Sequence, residues 1–196
     1  VYKKKKIFFE KYVALSDDKK KIKILHKKAN NNLIRKIQNL KLISFGNTIE
    51  YPIEALKFLK IIANKINKFG GGLLTFDYGH AIKKNQNTLQ SIKKHKHFDL
   101  LFQPGHSDIS SHLNFKLFQE ILIKYNLDVK KITNQGDFLK KIGILERANI
   151  LSEKMTFKEK ANMFYRLKRL LDPKEMGYLF KVMFAQKKNN NFSLGF

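Results

Sequence analysis

Cysteine is absent from this chain of 196 residues, and acidic residues are few, with 16 aspartates and glutamates against 40 lysines and arginines. Without cysteine, neither a disulfide framework nor a thiolate metal site can form, and the absence fits a reducing compartment. Long hydrophobic runs are missing too, because lysines break every apolar stretch before the roughly 18 residues that a membrane-spanning helix needs. The N-terminus also lacks the apolar region of a signal peptide. The sequence therefore predicts a protein without disulfides, thiolate-bound metal or a membrane span.

The formal net charge of +24 is typical of proteins that bind nucleic acids or anionic surfaces. Nearly all of this charge comes from lysine, since the chain has arginine only at positions 35, 147, 166 and 169. Asparagine, isoleucine and phenylalanine are abundant beside the lysines, as expected of an A/T-biased coding sequence. A protein selected to bind phosphate should favour the bidentate fork of arginine. We therefore interpret the charge as a solvated surface and keep a basic module for RNA or an acidic protein partner as the alternative.

Residues 1–48 are predicted to contain a β-hairpin and an irregular segment. Apolar and polar residues alternate on both sides of SDDKK, which predicts strands near Ile7 to Leu15 and Ile22 to His26. The stretch NNNLIRKIQNLKLISFGNTIEY fits a short helix or an irregular segment that ends in another strand.

Residues 49–186 are predicted to form a sheet with helices. Pro52 at a first-turn position, apolar residues at helical spacing and Gly70 as the stop predict a helix directly before LLTF. LLTF is apolar throughout, as expected of a strand that is buried on both faces. A long polar segment follows, and such segments are typical of lids and binding loops.

The rest of the chain is predicted to add a helix capped by Asn114, a strand at LDVKKIT, further helices and a closing strand at GYLFKVMFAQK. One of those helices is opened by a capping box from Thr156 to Glu159. Residues 187–196 are expected to be a frayed tail. The prediction is a single partial domain over residues 1–196.

Asp77, Tyr78, Gly79 and His80 directly follow LLTF and are the first candidate functional residues. They are expected just past the carboxyl end of a strand, where open α/β sheets place their ligands. Asp77 can accept hydrogen bonds from a cationic substrate, Gly79 permits close backbone approach, and His80 can move a proton near neutral pH. The alternative is that Asp77 caps the following turn and His80 binds the loop.

Asp108 and His112 are the second group of candidates, in a loop expected to orient the substrate or the DYGH segment. With His106 they suggest a metal site, but zinc needs three or four well-placed ligands, and we predict no metal here. His95 and His97 are interpreted as exposed residues of a basic loop.

Four motifs occur in one order along the chain, namely GGGLLTFDYGH, NTLQSIKKHKHFDLLFQPGHSDISSHLNF, TNQGDFLKKIGI and DPKEMGYLFKVM. Their order and spacing resemble the C-terminal half of the MidA-type SAM-dependent methyltransferases, a family whose mitochondrial members act in the assembly of respiratory complex I. The chain departs from the family pattern at Gln103, at Ser110-Ser111 and at Asn114. Asparagine and aspartate cap helices about equally well, so the change at Asn114 is consistent with a cap.

The resemblance implies the C-terminal half of a class I (Rossmann-like) α/β methyltransferase fold, with a hairpin at its start and added helices before its last strand. LLTF would be the fifth strand, LDVKKIT the sixth and FKVMFA the antiparallel seventh. The glycine-rich loop for SAM and the family's Asn-Glu-Phe-Phe-Asp-Ala-Leu-Pro segment would lie upstream of Val1. Since the chain begins without methionine, we expect it to be part of a longer protein. Since no counterpart of the glycine-rich SAM loop occurs in it, we expect it to contain no cofactor-binding residue itself.

The resemblance also implies an activity, the transfer of a methyl group from SAM to an arginine nitrogen of a protein. Asp77, Tyr78, Gly79, His80, Asp108 and His112 would line the substrate cleft, without an assigned catalytic residue. The substrate would be a protein such as a respiratory complex I subunit, in the bacterial cytoplasm or in the mitochondrial matrix of a eukaryote. The chain alone is expected to be inactive, because the SAM-binding half is elsewhere.

Overall fold

A computed structural model describes residues 1–18, 20–42, 48–82, 86–94, 96–102 and 105–196. Contacts within the chain group it into two compact units, whereas the sequence pattern predicts one partial domain. Unit 1 comprises residues 1–53 and 83–111, and unit 2 comprises residues 54–82 and 112–196. In the described ranges, no helix is both long and apolar enough to cross a membrane.

The described strands are β1 (Tyr2–Lys4), β2 (Ile7–Leu15), β3 (Ile22–Lys28), β4 (Gly72–His80), β5 (Gln90–Lys93), β6 (Lys96–Phe98), β7 (Asp108–Ser110), β8 (Leu113–Asn114), β9 (Leu127–Val129), β10 (Thr133–Asn134) and β11 (Phe180–Lys187). The helices are α1 (Asn31–Asn39), α2 (Ile53–Phe69), α3 (Phe115–Lys124), α4 (Gln135–Lys141), α5 (Ile144–Ser152), α6 (Phe157–Leu171) and α7 (Met176–Leu179).

The predicted N-terminal hairpin is confirmed in unit 1. β2 and β3 pair antiparallel from Leu15 opposite Ile22 to Phe9 opposite Lys28, and β1 adds a third strand beside β2. The backbone N–H of Ser16 donates to the carbonyl oxygen of Lys21 at 2.7 Å and closes the turn. The alternation of apolar and polar residues therefore identified this sheet correctly.

The polar segment after β4 is not irregular throughout. Its described residues include β5, β6 and β7, which form an antiparallel sheet in the order β6-β5-β7. Ile92 lies opposite His97 on one side and opposite Asp108 on the other. These strands are only three or four residues long and lack strict alternation, so the sequence pattern does not indicate them.

The larger sheet lies in unit 2 and has the order β10-β11-β4-β8, with β9 also paired to β11. β11 is antiparallel to β4, as predicted for the seventh and fifth strands. LDVKKIT is predicted as one strand but forms the two short strands β9 and β10, which both pair antiparallel with β11. Helix α3 packs against β4, β9 and β11.

β4 differs from the prediction for LLTF in length and burial. It continues through His80 because β11 pairs with it as far as Tyr78 and β8 pairs with its last two residues. Leu74 and Phe76 are exposed, so the strand is not buried on both faces. Among the described residues, the β4 edge opposite β11 is paired only at Gly79 and His80. Residues 72–78 therefore present an open strand edge.

The sequence pattern predicts a frayed C-terminal tail. In the structure, aromatic residues of this tail pack on Phe184 of β11. The Phe184 ring contacts the rings of Phe192 at 5.2 Å and Phe196 at 5.8 Å between centroids. The Gln186 side-chain amide donates to the carbonyl oxygens of Asn190 and Phe192, both at 3.0 Å. Aromatic burial and these hydrogen bonds hold the tail in place.

Candidate functional site

The candidate site lies at the carboxyl end of β4, where β8 and the start of α3 approach it closely. Gly79 pairs with Leu113 in a parallel register. A Cβ atom at Gly79 would clash with the carbonyl oxygen of Leu113 and lie 3.0 Å from the ring of Phe115. Glycine is therefore required here by close backbone approach, not by a positive φ angle.

Asp77 and Tyr78 lie within β4, whereas the sequence pattern predicts them past the end of the strand. Consecutive residues of a strand point to opposite faces, so their side chains diverge. Asp77 Oδ1 accepts a hydrogen bond from the backbone N–H of Tyr78 at 2.8 Å. Within the described residues no group donates to the second oxygen, Oδ2. Asp77 is half-buried and keeps this oxygen available for a ligand.

The structure brings Tyr78 and His112 together, although they are far apart in sequence. The centroids of their rings are 6.2 Å apart. The centroid of the Phe180 ring, from β11, lies 5.1 Å from that of Tyr78 in an edge-to-face arrangement. Rings of this kind can stack on a planar guanidinium cation. These three half-buried side chains, which we call the aromatic group, flank the carboxyl end of β4.

His80 is the last residue of β4 and pairs with Asn114 of β8. Its Nδ1 lies 3.0 Å from the carbonyl oxygen of Ile82, so Nδ1 carries the proton and donates. The other ring nitrogen, Nε2, is then the proton acceptor of the neutral ring. The hydrogen bond to the following segment matches the alternative interpretation of His80 and also fixes the tautomer needed for proton transfer.

Asn114 has the structural role that its position suggested. Its Oδ1 accepts a hydrogen bond from the backbone N–H of Leu117 at 3.0 Å and caps α3. This cap fixes the start of α3 beside Gly79, which explains why asparagine can replace aspartate there.

The remaining predicted candidates belong to unit 1 or lie outside the described residues. Asp108 belongs to unit 1, where it is exposed in β7, and His106 is exposed in the turn before it. His97 is exposed in β6, whereas His95 and Gln103 lie outside the described residues. Across the described ranges, no three His, Asp or Glu side chains form a cluster that could hold a metal ion.

Sequence reasoning missed Lys181, which lies opposite Asp77 in the antiparallel register of β11 and β4. Only 7% of its surface is exposed. Its Nζ donates to Asn134 Oδ1 at 2.8 Å and to the carbonyl oxygen of Tyr178, and it lies 3.7 Å from the centroid of the Tyr178 ring. Burial lowers the pKa of Lys181, and the charge of Asp137 partly opposes that shift. A lysine inside the apolar run LFKVMFA was the available signal.

Glu50 of unit 1 was also missed. Its carboxylate accepts from the Thr88 backbone N–H at 2.7 Å, the Thr88 hydroxyl at 2.6 Å and the Leu89 N–H at 3.0 Å. These bonds fix the segment that leads into β5. Glu50 also lines a pocket of about 300 Å³ with Glu10, Tyr51 and Leu89. Burial raises the pKa of Tyr51.

The strand order and the closing antiparallel strand define the C-terminal half of a class I methyltransferase fold. A Burkholderia thailandensis protein crystallised with S-adenosyl-homocysteine has this fold, with a TM-score of 0.78 and 21% identity over all of this chain and 51% of that chain. A second crystal structure from the same organism gives a TM-score of 0.79 at 22% identity, over 99% of this chain and 52% of that one.

Residues 1–133 match a family described as "putative S-adenosyl-L-methionine-dependent methyltransferase", and the chain belongs to this family. It is 29% identical over 134 residues to the Xenopus tropicalis protein named "protein arginine methyltransferase NDUFAF7, mitochondrial". That match covers 68% of this chain and 31% of the relative. The Caenorhabditis elegans homologue of the same name is 33% identical over 86 residues, covering 44% of this chain and 20% of the relative. The chain thus spans about a third of its curated relatives.

S-adenosyl-L-methionine is the cofactor of this family. Among the described residues, none of the helices that directly follow a strand is preceded by a glycine-rich loop. Gly70 and Gly71 have positive φ angles, but they lie before β4, where they end α2. Gly136, at the start of α4, instead makes room for the carbonyl oxygen of Leu171.

Proposed function

We propose that the protein containing this chain transfers a methyl group from S-adenosyl-L-methionine to an arginine nitrogen of a protein. The chain would supply the C-terminal half of the catalytic domain, and the other half would bind the cofactor. The observation that carries this proposal is the half-buried Asp77 near the carboxyl end of β4, whose Oδ2 has no donor among the described residues, in a member of a methyltransferase family. The names of the curated relatives support arginine as the acceptor.

In such a reaction, the acceptor nitrogen forms a bond to the methyl carbon, the bond from that carbon to sulfur breaks, and the nitrogen loses a proton. A protein accelerates the step by aligning the acceptor and removing the proton. Asp77 is our candidate for alignment, because a carboxylate oxygen pairs well with guanidinium N–H groups. Oδ2 of Asp77 has no donor among the described residues.

His80 is our candidate for the proton acceptor. Its Nδ1 donates to the Ile82 carbonyl oxygen at 3.0 Å, which leaves Nε2 basic. An imidazole whose Nδ1 donates in this way presents Nε2 as its proton acceptor. Tyr78 points to the face of β4 opposite Asp77, so we propose that Tyr78 and His112 line the cleft without contacting the same guanidinium group as Asp77.

The chain alone is proposed to be inactive. Its described residues lack a glycine-rich loop before any helix that directly follows a strand, and residues 72–78 have an open strand edge that a strand of the other half could fill. We further propose a protein substrate, such as a respiratory complex I subunit. Its place would be the bacterial cytoplasm, or the mitochondrial matrix in a eukaryote, since the curated relatives are named mitochondrial.

The charge alone does not favour the alternative, a basic module for RNA or an acidic protein. Exposed lysines occur on β3, α2 and α6 alike, so lysine is not confined to one element of the fold.

The test is a methylation assay with labelled S-adenosyl-L-methionine and two peptides that differ only in arginine or lysine at the acceptor position. The full-length protein is expected to label the arginine peptide, and the 196-residue chain is expected to label neither. Labelling of the lysine peptide alone would contradict arginine as the acceptor. Labelling by the chain alone would contradict the division of the site between two halves.

A further inference from the structure

The helical hairpin formed by α5 and α6 exposes large apolar side chains where its two helices are connected. Phe157, the first residue of α6, is 88% exposed, and Ile150, near the end of α5, is 67% exposed. Leu151 is exposed beside Ile150. We call residues 147–158 the hairpin tip. Apolar groups this exposed and this close together are typical of an interaction surface.

The fold does not need these side chains for its own stability. Ala148, Leu167 and Leu171 form a buried cluster that holds the two helices, together with partly buried residues such as Met163 and Leu170. This cluster lies on the other face of the hairpin, so Ile150, Leu151 and Phe157 are not part of it.

The backbone fixes Phe157 in its exposed position. Thr156 and Glu159 form a complete capping box, in which Glu159 Oε2 accepts from the Thr156 backbone N–H at 2.8 Å and from the Thr156 hydroxyl at 2.7 Å. Because the cap defines the first turn of α6, Phe157 projects from the start of a rigid helix rather than from a loose loop.

Cationic side chains surround the tip. Between residues 147 and 158 there are three cations, Arg147, Lys154 and Lys158, against one glutamate, Glu153, and all three cations are exposed. No ion pair to them occurs among the described residues. Exposed arginine and lysine side chains can bind phosphate groups through charge-assisted hydrogen bonds.

We propose that the hairpin tip docks on an anionic phospholipid surface. Ile150, Leu151 and Phe157 enter the interface between head groups and acyl chains, while Arg147 and Lys158 bind phosphate groups. A protruding turn with separate apolar anchors suits a deformable bilayer better than the groove of a protein partner. A second copy of the chain is disfavoured, because each copy carries a net charge of +24.

The test is flotation of the 196-residue chain with vesicles. Vesicles of phosphatidylcholine and phosphatidylglycerol in equal amounts should bind it, and vesicles of phosphatidylcholine alone should not. Phe157→Ser should weaken binding about tenfold, since it removes one buried apolar anchor. The matched control is Phe58→Ser on α2, where Phe58 is 62% exposed between Lys57 and Lys60, and it should leave binding unchanged.

A second pair of variants tests the charge. Arg147→Gln combined with Lys158→Gln should weaken binding to the anionic vesicles about 25-fold, because each of the two cations near the surface contributes about 1 kcal/mol, or about fivefold. Lys60→Gln combined with Lys65→Gln changes the net charge of the chain equally and should have a much smaller effect. An equal loss in both pairs would show general attraction by the net charge and would overturn the docking site.

Three other results would overturn the proposal. The first is equal binding to neutral vesicles. The second is loss of self-association, seen by sedimentation, in Phe157→Ser, which would assign the tip to a second copy. The third is binding of polyglutamate or RNA with the same dependence on Phe157 and Arg147 while the anionic vesicles fail to bind, which would assign it to a macromolecular partner. None of these results depends on methyl transfer, so the proposed enzymatic function is tested separately.

Discussion

Gly79 and Leu113 pair in parallel, and the carbonyl oxygen of Leu113 occupies the space that a Cβ atom of residue 79 would need. Gly79→Ala must therefore push β8 away from β4 or distort both. We expect a loss of about 1–3 kcal/mol in the free energy of unfolding, as for other overpacked sites. Urea denaturation followed by circular dichroism would measure it.

The control for this change is Gly71→Asn. Gly71 has a φ angle of 90°, and no heavy atom lies within 4 Å of the position that a Cβ atom would take there. Asparagine tolerates such φ angles better than other residues with a side chain. Gly71→Asn should therefore cost less than Gly79→Ala. A stability for Gly79→Ala equal to that of the unchanged protein would contradict the close approach of the two strands.

The carboxylate of Asp128 links β9 to β11. It accepts from Lys130 Nζ at 2.8 Å and from the Gln186 amide at 3.1 Å. The hydrogen bond from Lys130, and then the one from Gln186, lowers the pKa of Asp128 below its ordinary value of 3.8. Because the folded-state pKa is the lower one, the carboxylate stabilises the fold above pH 3.8, and this contribution is lost as the pH falls through the lowered pKa.

Asp128→Asn should remove that part of the acid sensitivity. The unfolding free energies of the two proteins should differ by up to about 1 kcal/mol at neutral pH and converge in strong acid. Asp17→Asn, which affects the exposed pair of Asp17 with Lys23 at 3.3 Å, is the control and should change stability less. If the difference in unfolding free energy between Asp128→Asn and the unchanged protein grew as the pH falls, the stabilising role of the Asp128 carboxylate would be contradicted.

Glu50→Ala removes the carboxylate that accepts from Thr88 and Leu89. All three hydrogen bonds are lost, so we expect a loss of about 1–3 kcal/mol in the free energy of unfolding. Hydrogen exchange should become faster at residues 86–89 in particular. Glu54→Gln, at an exposed pair with Lys57, should leave exchange there unaltered.

Asp77→Asn tests the proposed alignment of the guanidinium group in the full-length protein. Loss of one charge-assisted hydrogen bond predicts a fall in kcat/KM of about 10-fold to 100-fold for an arginine peptide. Asp99→Asn is the matched control, because the Asp99 carboxylate also accepts from a nearby backbone N–H, that of Leu101 at 2.7 Å. Equal kinetics for Asp77→Asn and the unchanged enzyme would remove Asp77 from the site.

Local sequence patterns predicted the features that depend on neighbouring residues. The alternation around SDDKK predicted β2 and β3, and the spacing of Thr156 and Glu159 predicted the start of α6. Asn114 was likewise identified as a cap from its position alone. These features are encoded within a few residues, so no knowledge of the fold is required.

Features that depend on distant partners could not be predicted in this way. Lys181 is buried because Asn134, 47 residues earlier, accepts from its amine. β4 extends to His80 because β11 and β8 supply its pairing partners, so Asp77 and Tyr78 are strand residues rather than loop residues. The contact between Tyr78 and His112 also arises only when β8 joins β4.

The central position of β11 in the larger sheet has a consequence for folding kinetics. β4, β9 and β10 each pair with β11, and within the described residues they do not pair with one another. Because β4 ends at residue 80 and β11 begins at residue 180, the sheet forms only after a loop of about a hundred residues has closed. Such non-local pairing slows folding. On the ribosome, the sheet of unit 2 therefore stays open until its last strand has been synthesised.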